Sequence, residues 1–253
     1  MRQIEGGINA AKGFQAAGVE AGVKYHNRRD MALVYSTAPC VAAGTFTTNV
    51  VKAAPVMWDM EVVDKSSFVQ AAVVNTGMAN SATGRQGMDC CRREAECAGR
   101  LLGIPADAVL IASTGVIGVQ LPEDRIMKGI EKLAEAKSEG RDAARDAAMA
   151  IMTTDTHPKE IAVEMTIGGK TVTLGGMCKG SGMIHPNMCT MLGFITTDVA
   201  ISKELLQEAL STDVQDTFNM ISVDGDTSTN DTLLVLANGM AGNEEIIRKD
   251  DNY

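Results

Sequence analysis

The chain has 253 residues, 45% of them apolar, enough for one sizeable core or two small ones. Aromatics are only 4%, against 16 Met and 25 Gly, so a core of Ala, Val, Ile, Leu and Met is expected. A net charge of −9 argues against nucleic acid, whose phosphates would be repelled, and no apolar run approaches the ~18 residues of a membrane span.

No apolar segment follows a basic start, so no secretory signal is read and a cytoplasmic protein is expected. Without a signal, Cys40, Cys90, Cys91, Cys97, Cys178 and Cys189 read as reduced thiols. Three of them cluster beside Asp89, Glu94 and Glu96, but no His accompanies them. Adjacent Cys90 and Cys91 point to different sides of a helix, so no metal site is expected.

Residues 1–30 are glycine-rich and read as loops, a short strand near 18–23 and a turn at 26–30 that leaves His26 on the surface. Residues 31–36 (MALVYS) read as a buried strand, and 40–47 as a candidate second one. Residues 49–58 lead to a helix or a strand, with Trp58 a packing residue. The strand 69–75 (VQAAVVN) runs into NTGMANSATGRQG at 75–87. That run is either a loop aiming several backbone amides at one place or a plain solvated turn. Residues 87–102 read as a helix with Cys97 and Leu101 on its inner face, stopped by Gly103 and Pro105.

Residues 108–112 (AVLIA) form a short strand that feeds Ser113, Thr114 and Gly115. A Thr hydroxyl and a Gly amide there can be aimed at one oxygen, and Gly admits a substrate closely. The pair is therefore a candidate oxyanion site, a simple turn being the alternative. Residues 122–152 read as helical with a break near 138–140. Pro122 suits the first turn, with Glu123 and Asp124 behind it. The TTDTHPK run at 153–159, ended by Pro158, either lines a pocket or caps the helix end. Residues 161–167 and 170–174 alternate about Gly168 and Gly169, a hairpin pattern.

The run GGMCKGSGMIHPNMCT at 175–190 is neither a clean helix nor a clean strand. Residues 191–201 after it read as a buried strand. A hydroxyl held where a glycine-rich loop enters a buried strand has the fixed position a nucleophile needs, although Thr is also simply a good strand former. Ser202 is expected to cap a helix through Leu210, and 212–223 to continue as helix, then strand. The acidic run 222–232 lacks the Gly and Glu of a calcium loop. Residues 232–238 (TLLVLAN) read as a strand. Mixed strands and helices without linkers point to α/β layers.

The segments KGSGMIHPNMCTMLGFITTD (179–198), NTGMAN (75–80), STG (113–115) and TTDTHPK (153–159) resemble those of the ornithine acetyltransferase (glutamate N-acetyltransferase) family of arginine biosynthesis. The resemblance implies an α/β fold, a layered helix–sheet–sheet–helix sandwich like the N-terminal-nucleophile hydrolases. It implies self-cleavage between Cys189 and Thr190, dividing an alpha-chain region, 1–189, from the start of a beta-chain region, 190–253. Thr190 would become the acyl-carrying nucleophile, its freed α-amine serving as base. Thr114 and Gly115 would form the oxyanion hole, and Thr153 and Lys179 would bind substrate. His157 fills a variable position.

The implied reaction moves acetyl from N-acetylornithine to glutamate, with no metal or cofactor and with acetyl-CoA an additional donor in some members. The implied assembly has two alpha and two beta chains. Two features depart from the family pattern. Cys189 stands where Ala is usual, and the family's second chain is longer, with a substrate-binding Glu and a C-terminal Asn and Thr that have no counterpart here. A C-terminally truncated form with impaired activity is expected. The rival readings are a related self-cleaving aminopeptidase or amide hydrolase, and a non-catalytic fragment needing a complementary chain.

Overall fold

The computed structural model describes residues 1–182 and 191–249. In chain order the strands and longer helices are β1 (Arg2–Ile4), β2 (Phe14–Val19), β3 (Met31–Phe46), α1 (Ala54–Lys65), β4 (Val69–Met78), α2 (Gly84–Leu102), β5 (Val109–Val116), α3 (Glu123–Ala136), α4 (Arg141–Ala150), β6 (Lys159–Ile167), β7 (Lys170–Lys179), β8 (Leu192–Thr197), α5 (Lys203–Asp213) and β9 (Thr232–Ala237).

Strand β3 organises them. Its first half lies between β2 and β4, and β4 pairs in parallel with β5. Beyond a register shift between Tyr35 and Cys40, its second half pairs with β9 and enters the other sheet, β1-β6-β7-β8-β9. The two strands expected at 31–36 and 40–47 are thus one long strand that bends from sheet to sheet. Side chains alternate along a strand, so each sheet feeds two cores. Ala32, Val34, Ala72, Val74, Leu110 and Ala112 meet Phe194, Leu234 and Leu236 between the sheets. Their neighbours Met31, Leu33, Ala71, Val73, Val109 and Ile111 face α2 and α3 on the outside. On the other side, Leu233 and Val235 pack with Leu205, Leu206 and Leu210 of α5. The result is the expected helix–sheet–sheet–helix sandwich. Among the described residues no helix is long and apolar enough to cross a membrane.

Local chemistry accounts for the boundaries. Gly168 and Gly169 take φ of 55° and 75°, the left-handed pair a tight hairpin turn requires, and they join β6 to β7 as expected. Ser202 caps α5 by accepting from the Leu205 amide at 3.3 Å. The break at 138–140 separates α3 from α4, and there Ser138 pairs with Ala16. Residues 49–58 resolve as a turn and the start of α1, with a proline in its first turn. Trp58 is a packing residue whose indole donates to the Val109 carbonyl at 2.9 Å.

Four expectations need correction. The strand expected near 18–23 lies earlier, at Phe14–Val19, because Asp30 gathers the amides of Ala21, Gly22 and Val23 into a turn at 2.7, 3.3 and 2.6 Å. Leu101 is 40% exposed. The inward stripe of α2 runs Cys91, Ala95, Ala98 and Leu102, which leaves Leu101 about 100° off it. Residues 212–223 hold two short 3₁₀ turns, Val214–Asp216 and Phe218–Met220, and no described strand. The strand expected over 191–201 ends at Thr197, where Asp198 turns to accept from the amides of Thr173 and Lys12 at 2.8 and 3.1 Å.

The cysteine cluster is structural. Cys90 and Cys91 are buried, and the Cys90 thiol donates to Glu94 at 3.5 Å. Glu94 is only 1% exposed, and burial pushes its carboxyl up from about 4.5 to about 7. Because the folded value lies above the unfolded one, the contribution of Glu94 to stability is fully present below about 4.5 and is lost as pH rises through about 7. Urea unfolding at pH 5 and pH 8 should therefore show a loss that Glu94→Gln reduces, by at most about 3 kcal/mol. An identical loss in both proteins would contradict this.

Candidate active site

The parallel strands β4 and β5 end side by side, with Thr76 opposite Thr114 and Gly77 opposite Gly115. Gly115 has φ of 135°, and a Cβ there would lie 2.3 Å from the Gly77 carbonyl carbon, so only glycine fits. Ser113 donates to Asn75 at 2.6 Å, and Asn75 in turn donates to the Met78 carbonyl at 2.9 Å. These bonds fix the strand ends from behind and leave Thr114 and Gly115 at the wall of a cavity of about 310 Å³. The 75–87 run is only partly a loop. It begins as the end of β4, sends Ala79 to the cavity and then turns into α2.

The 153–159 loop forms another wall. Asp155 accepts from the amides of Thr153 and Gly180 at 3.2 and 2.9 Å and pairs with Lys159. Lys159 also donates to the Gly180 carbonyl at 3.1 Å. One acid–base pair thus ties this loop to the residue after Lys179. Burial opposes the charge on Asp155, but Lys159 and the two amides outweigh it and hold the carboxyl below its ordinary range. That contribution to stability is present above the unfolded value, about 3.8, and is lost as pH falls through the folded one. Asp155→Asn should lower the thermal midpoint at pH 7, and the gap to wild type should close under acid. A gap of constant size from pH 7 to pH 2 would contradict the assignment.

Lys179, at the end of β7, is 2% exposed and lines the same cavity. Burial pulls its ammonium below the ordinary lysine range, against the attraction of Asp155 and Asp231. Asp231 is fully buried and accepts from the Met191 amide at 2.9 Å. Burial pushes the Asp231 carboxyl up to about 7, while that amide, the Ser228 side chain and Lys179 pull the other way. Asn230 donates to the carbonyls of Ala79 and Ser113 at 2.6 and 2.8 Å, so the same segment also holds the Thr114 wall.

Of the six residues singled out from sequence, Thr114, Gly115, Thr153 and Lys179 line this one cavity. Cys189 and Thr190 lie outside the described residues; Met191, which follows them, is fixed by Asp231 and by the Thr232 amide at 3.0 Å. His157 is exposed and faces a different cavity. A larger apolar cavity of about 570 Å³ beneath α5 contains none of the six. Lys24, Tyr25, Ser228 and Asn230 complete the site and were not foreseen. Arg28 explains how the first pair arrives: it stacks over the Tyr25 ring at 4.8 Å and donates to the Met152 carbonyl at 2.6 Å, beside Thr153.

The ArgJ family pattern matches residues 15–252. The chain belongs to the ArgJ family. Arginine biosynthesis bifunctional protein ArgJ from Thermotoga neapolitana is 51% identical over 243 residues, 96% of this chain and 60% of that one. The ArgJ of Symbiobacterium thermophilum is 51% identical over 255 residues, 100% of this chain and 63% of that one. The chain thus spans about 60% of the length of these curated ArgJ relatives. Among solved structures, ArgJ from Bacillus halodurans is 39% identical with a TM-score of 0.69, matched over 75% of this chain and 97% of its own. The ornithine acetyltransferase of Mycobacterium tuberculosis, complexed with ornithine, is 35% identical with a TM-score of 0.68, over 76% and 99%. An aminopeptidase from Ochrobactrum anthropi described as a variant of the Ntn hydrolase fold has a TM-score of 0.59 at 9% identity, a likeness of fold alone.

Proposed function

We propose that the protein carries acetyl from N-acetylornithine to glutamate on Thr190, after cutting its own chain between Cys189 and Thr190. The observation that carries this reading is the convergence of Thr114, Gly115, Thr153 and Lys179 on one cavity. A Thr–Gly pair at a strand end, a buried cation and a second hydroxyl suit an amino-acid substrate whose acetyl carbonyl becomes an oxyanion. Lys179 pairs with the substrate carboxylate, and Thr153 receives the same substrate. Thr114 and Gly115 hold the developing charge, an effect worth roughly 3 to 4 kcal/mol per donor.

Thr190 attacks only once its own amine is free. An α-amine with a pKa of about 7.7 to 8.0 takes a hydroxyl proton at neutral pH, whereas a peptide nitrogen cannot. Ornithine leaves, and glutamate takes the acetyl group. The regions 1–189 and 190–253 are then separate chains held by strand pairing, since β7 is bonded to β8 from Lys179 opposite Leu192 onward and β3 is bonded to β9.

The test is transfer of labelled acetyl from N-acetylornithine. Label on glutamate supports the proposal. Label released only as acetate sinks it and favours an amide hydrolase.

A further inference from the structure

The chain has 32 acidic side chains against 23 lysines and arginines, yet the candidate cavity reverses that balance. Among the described residues its lining holds two lysines, Lys24 and Lys179, and no aspartate or glutamate. The two lysines differ in their surroundings. Lys179 is buried, and Asp155 and Asp231 act on it. Lys24 is exposed, and its ammonium lies 5.1 Å over the Tyr25 ring with no carboxylate partner among the described residues. One substrate carboxylate satisfies Lys179. A second cation on the same space, with no acidic side chain in the described lining to neutralise it, suits a second carboxylate.

Lys24 is held at the oxyanion end of the cavity. Gly77 stands opposite Gly115 at the strand ends, and a Cβ on it would lie 2.7 Å from the Lys24 Cβ. The residue therefore sits directly against the end of β4. The turn before it is fixed as well: Asp30 accepts from the Val23 amide at 2.6 Å, and Arg125 donates to the Gly22 carbonyl at 2.7 Å. The base of the side chain is anchored while its ammonium stays open to a ligand.

We propose that Lys24 binds the side-chain carboxylate of the acceptor glutamate and so selects a dicarboxylic amino acid over ornithine. This rests on the acetyl-transfer reading and deepens it. In that reaction one cavity receives two amino acids in turn. Both carry an α-carboxylate, which Lys179 takes. They differ at the far end, where glutamate is negative and ornithine positive. An ammonium there attracts the first and repels the second, so Lys24 draws glutamate onto the acetyl-enzyme and disfavours the return of ornithine.

The experiment is titration calorimetry at neutral pH and low salt with L-glutamate, L-glutamine and L-ornithine. Glutamine has the length of glutamate without its charge. Wild type should bind glutamate about tenfold more tightly than glutamine, as a charge-assisted bond at a partly open site allows. Lys24→Met should weaken glutamate by about tenfold, change glutamine by less than about twofold and leave ornithine equal or tighter. Lys24→Arg should keep glutamate within about threefold of wild type, whereas Lys179→Met should weaken glutamate and glutamine alike. A structural role for Lys24 would weaken all three ligands together. Wild type that binds no glutamate, or binds it no better than glutamine, overturns the assignment, and this comparison stands even if Lys24→Met fails to fold. A Lys24→Met protein that keeps the wild-type preference, or loses all three ligands equally, also overturns it. Transfer of labelled acetyl is measured beside the binding. Glutamate preference that depends on Lys24, without transfer, sinks the transfer reading alone. Transfer by Lys24→Met with an unaltered KM for glutamate sinks the assignment alone.

Discussion

Thr190→Ala is expected to abolish acetyl transfer, with a loss of about 10⁴-fold or more in kcat. Alanine has neither the hydroxyl that carries the acetyl group nor any means to start the cut that frees the amine. Two dependent steps therefore fail together, and adding back the substrate at saturation recovers nothing. Thr190→Ser separates the steps. Serine keeps the hydroxyl, so cutting and transfer should both survive at a reduced rate, because the lost methyl frees the side chain to rotate. The assay is transfer of labelled acetyl to glutamate by each purified variant. Transfer by Thr190→Ala within tenfold of wild type would show that the acetyl group rides elsewhere, with the Cys189 thiol the first residue to examine.

Gly115→Ala is the second large effect expected. A Cβ at residue 115 would sit 2.3 Å from the carbonyl carbon and 2.5 Å from the carbonyl oxygen of Gly77. These are backbone atoms of a paired strand and cannot rotate aside. The φ of 135° adds strain of about 1 to 3 kcal/mol for any residue with a side chain. The ends of β4 and β5 must separate to relieve the clash, which moves the Gly115 amide and Thr114 together. Losing one oxyanion donor costs about 10² to 10³ in kcat, and displacing both should cost more. Thr114→Val provides the control, since it removes a hydroxyl and leaves the strands paired. The comparison is kcat with the thermal midpoint for each. A Gly115→Ala protein with a wild-type midpoint and kcat would remove the residue from the site.

Much of the fold could be read from local pattern. The apolar run at 232–238, the alternation in 161–174, the glycine pair at 168–169 and the break at 138–140 each involve chemistry confined to a few neighbouring residues. The bend that lets β3 serve two sheets could not be read, because residues 31–36 and 40–47 look like separate strands until β4 and β9 are placed beside them. The site divides in the same way. Thr114, Gly115, Thr153 and Lys179 sit in motifs that carry the family resemblance. Lys24 and Tyr25 reach the cavity through contacts between distant parts of the chain, among them those of Arg28 with Tyr25 and with Met152, more than a hundred residues away. Asp231 lies in an acidic, hydroxyl-rich run that resembles a solvated loop in sequence. Its burial comes from Thr47, Met191 and the strand that follows it. The one local signal was an acidic residue placed directly before an apolar strand.

The most direct measurement is the mass of the purified chain under denaturing conditions. The account predicts two components that together make up the 26.7 kDa chain plus one water and that part between Cys189 and Thr190. They should travel together under native conditions, because β7 with β8 and β3 with β9 bridge the division. A single 26.7 kDa species in a preparation that transfers acetyl to glutamate would contradict it.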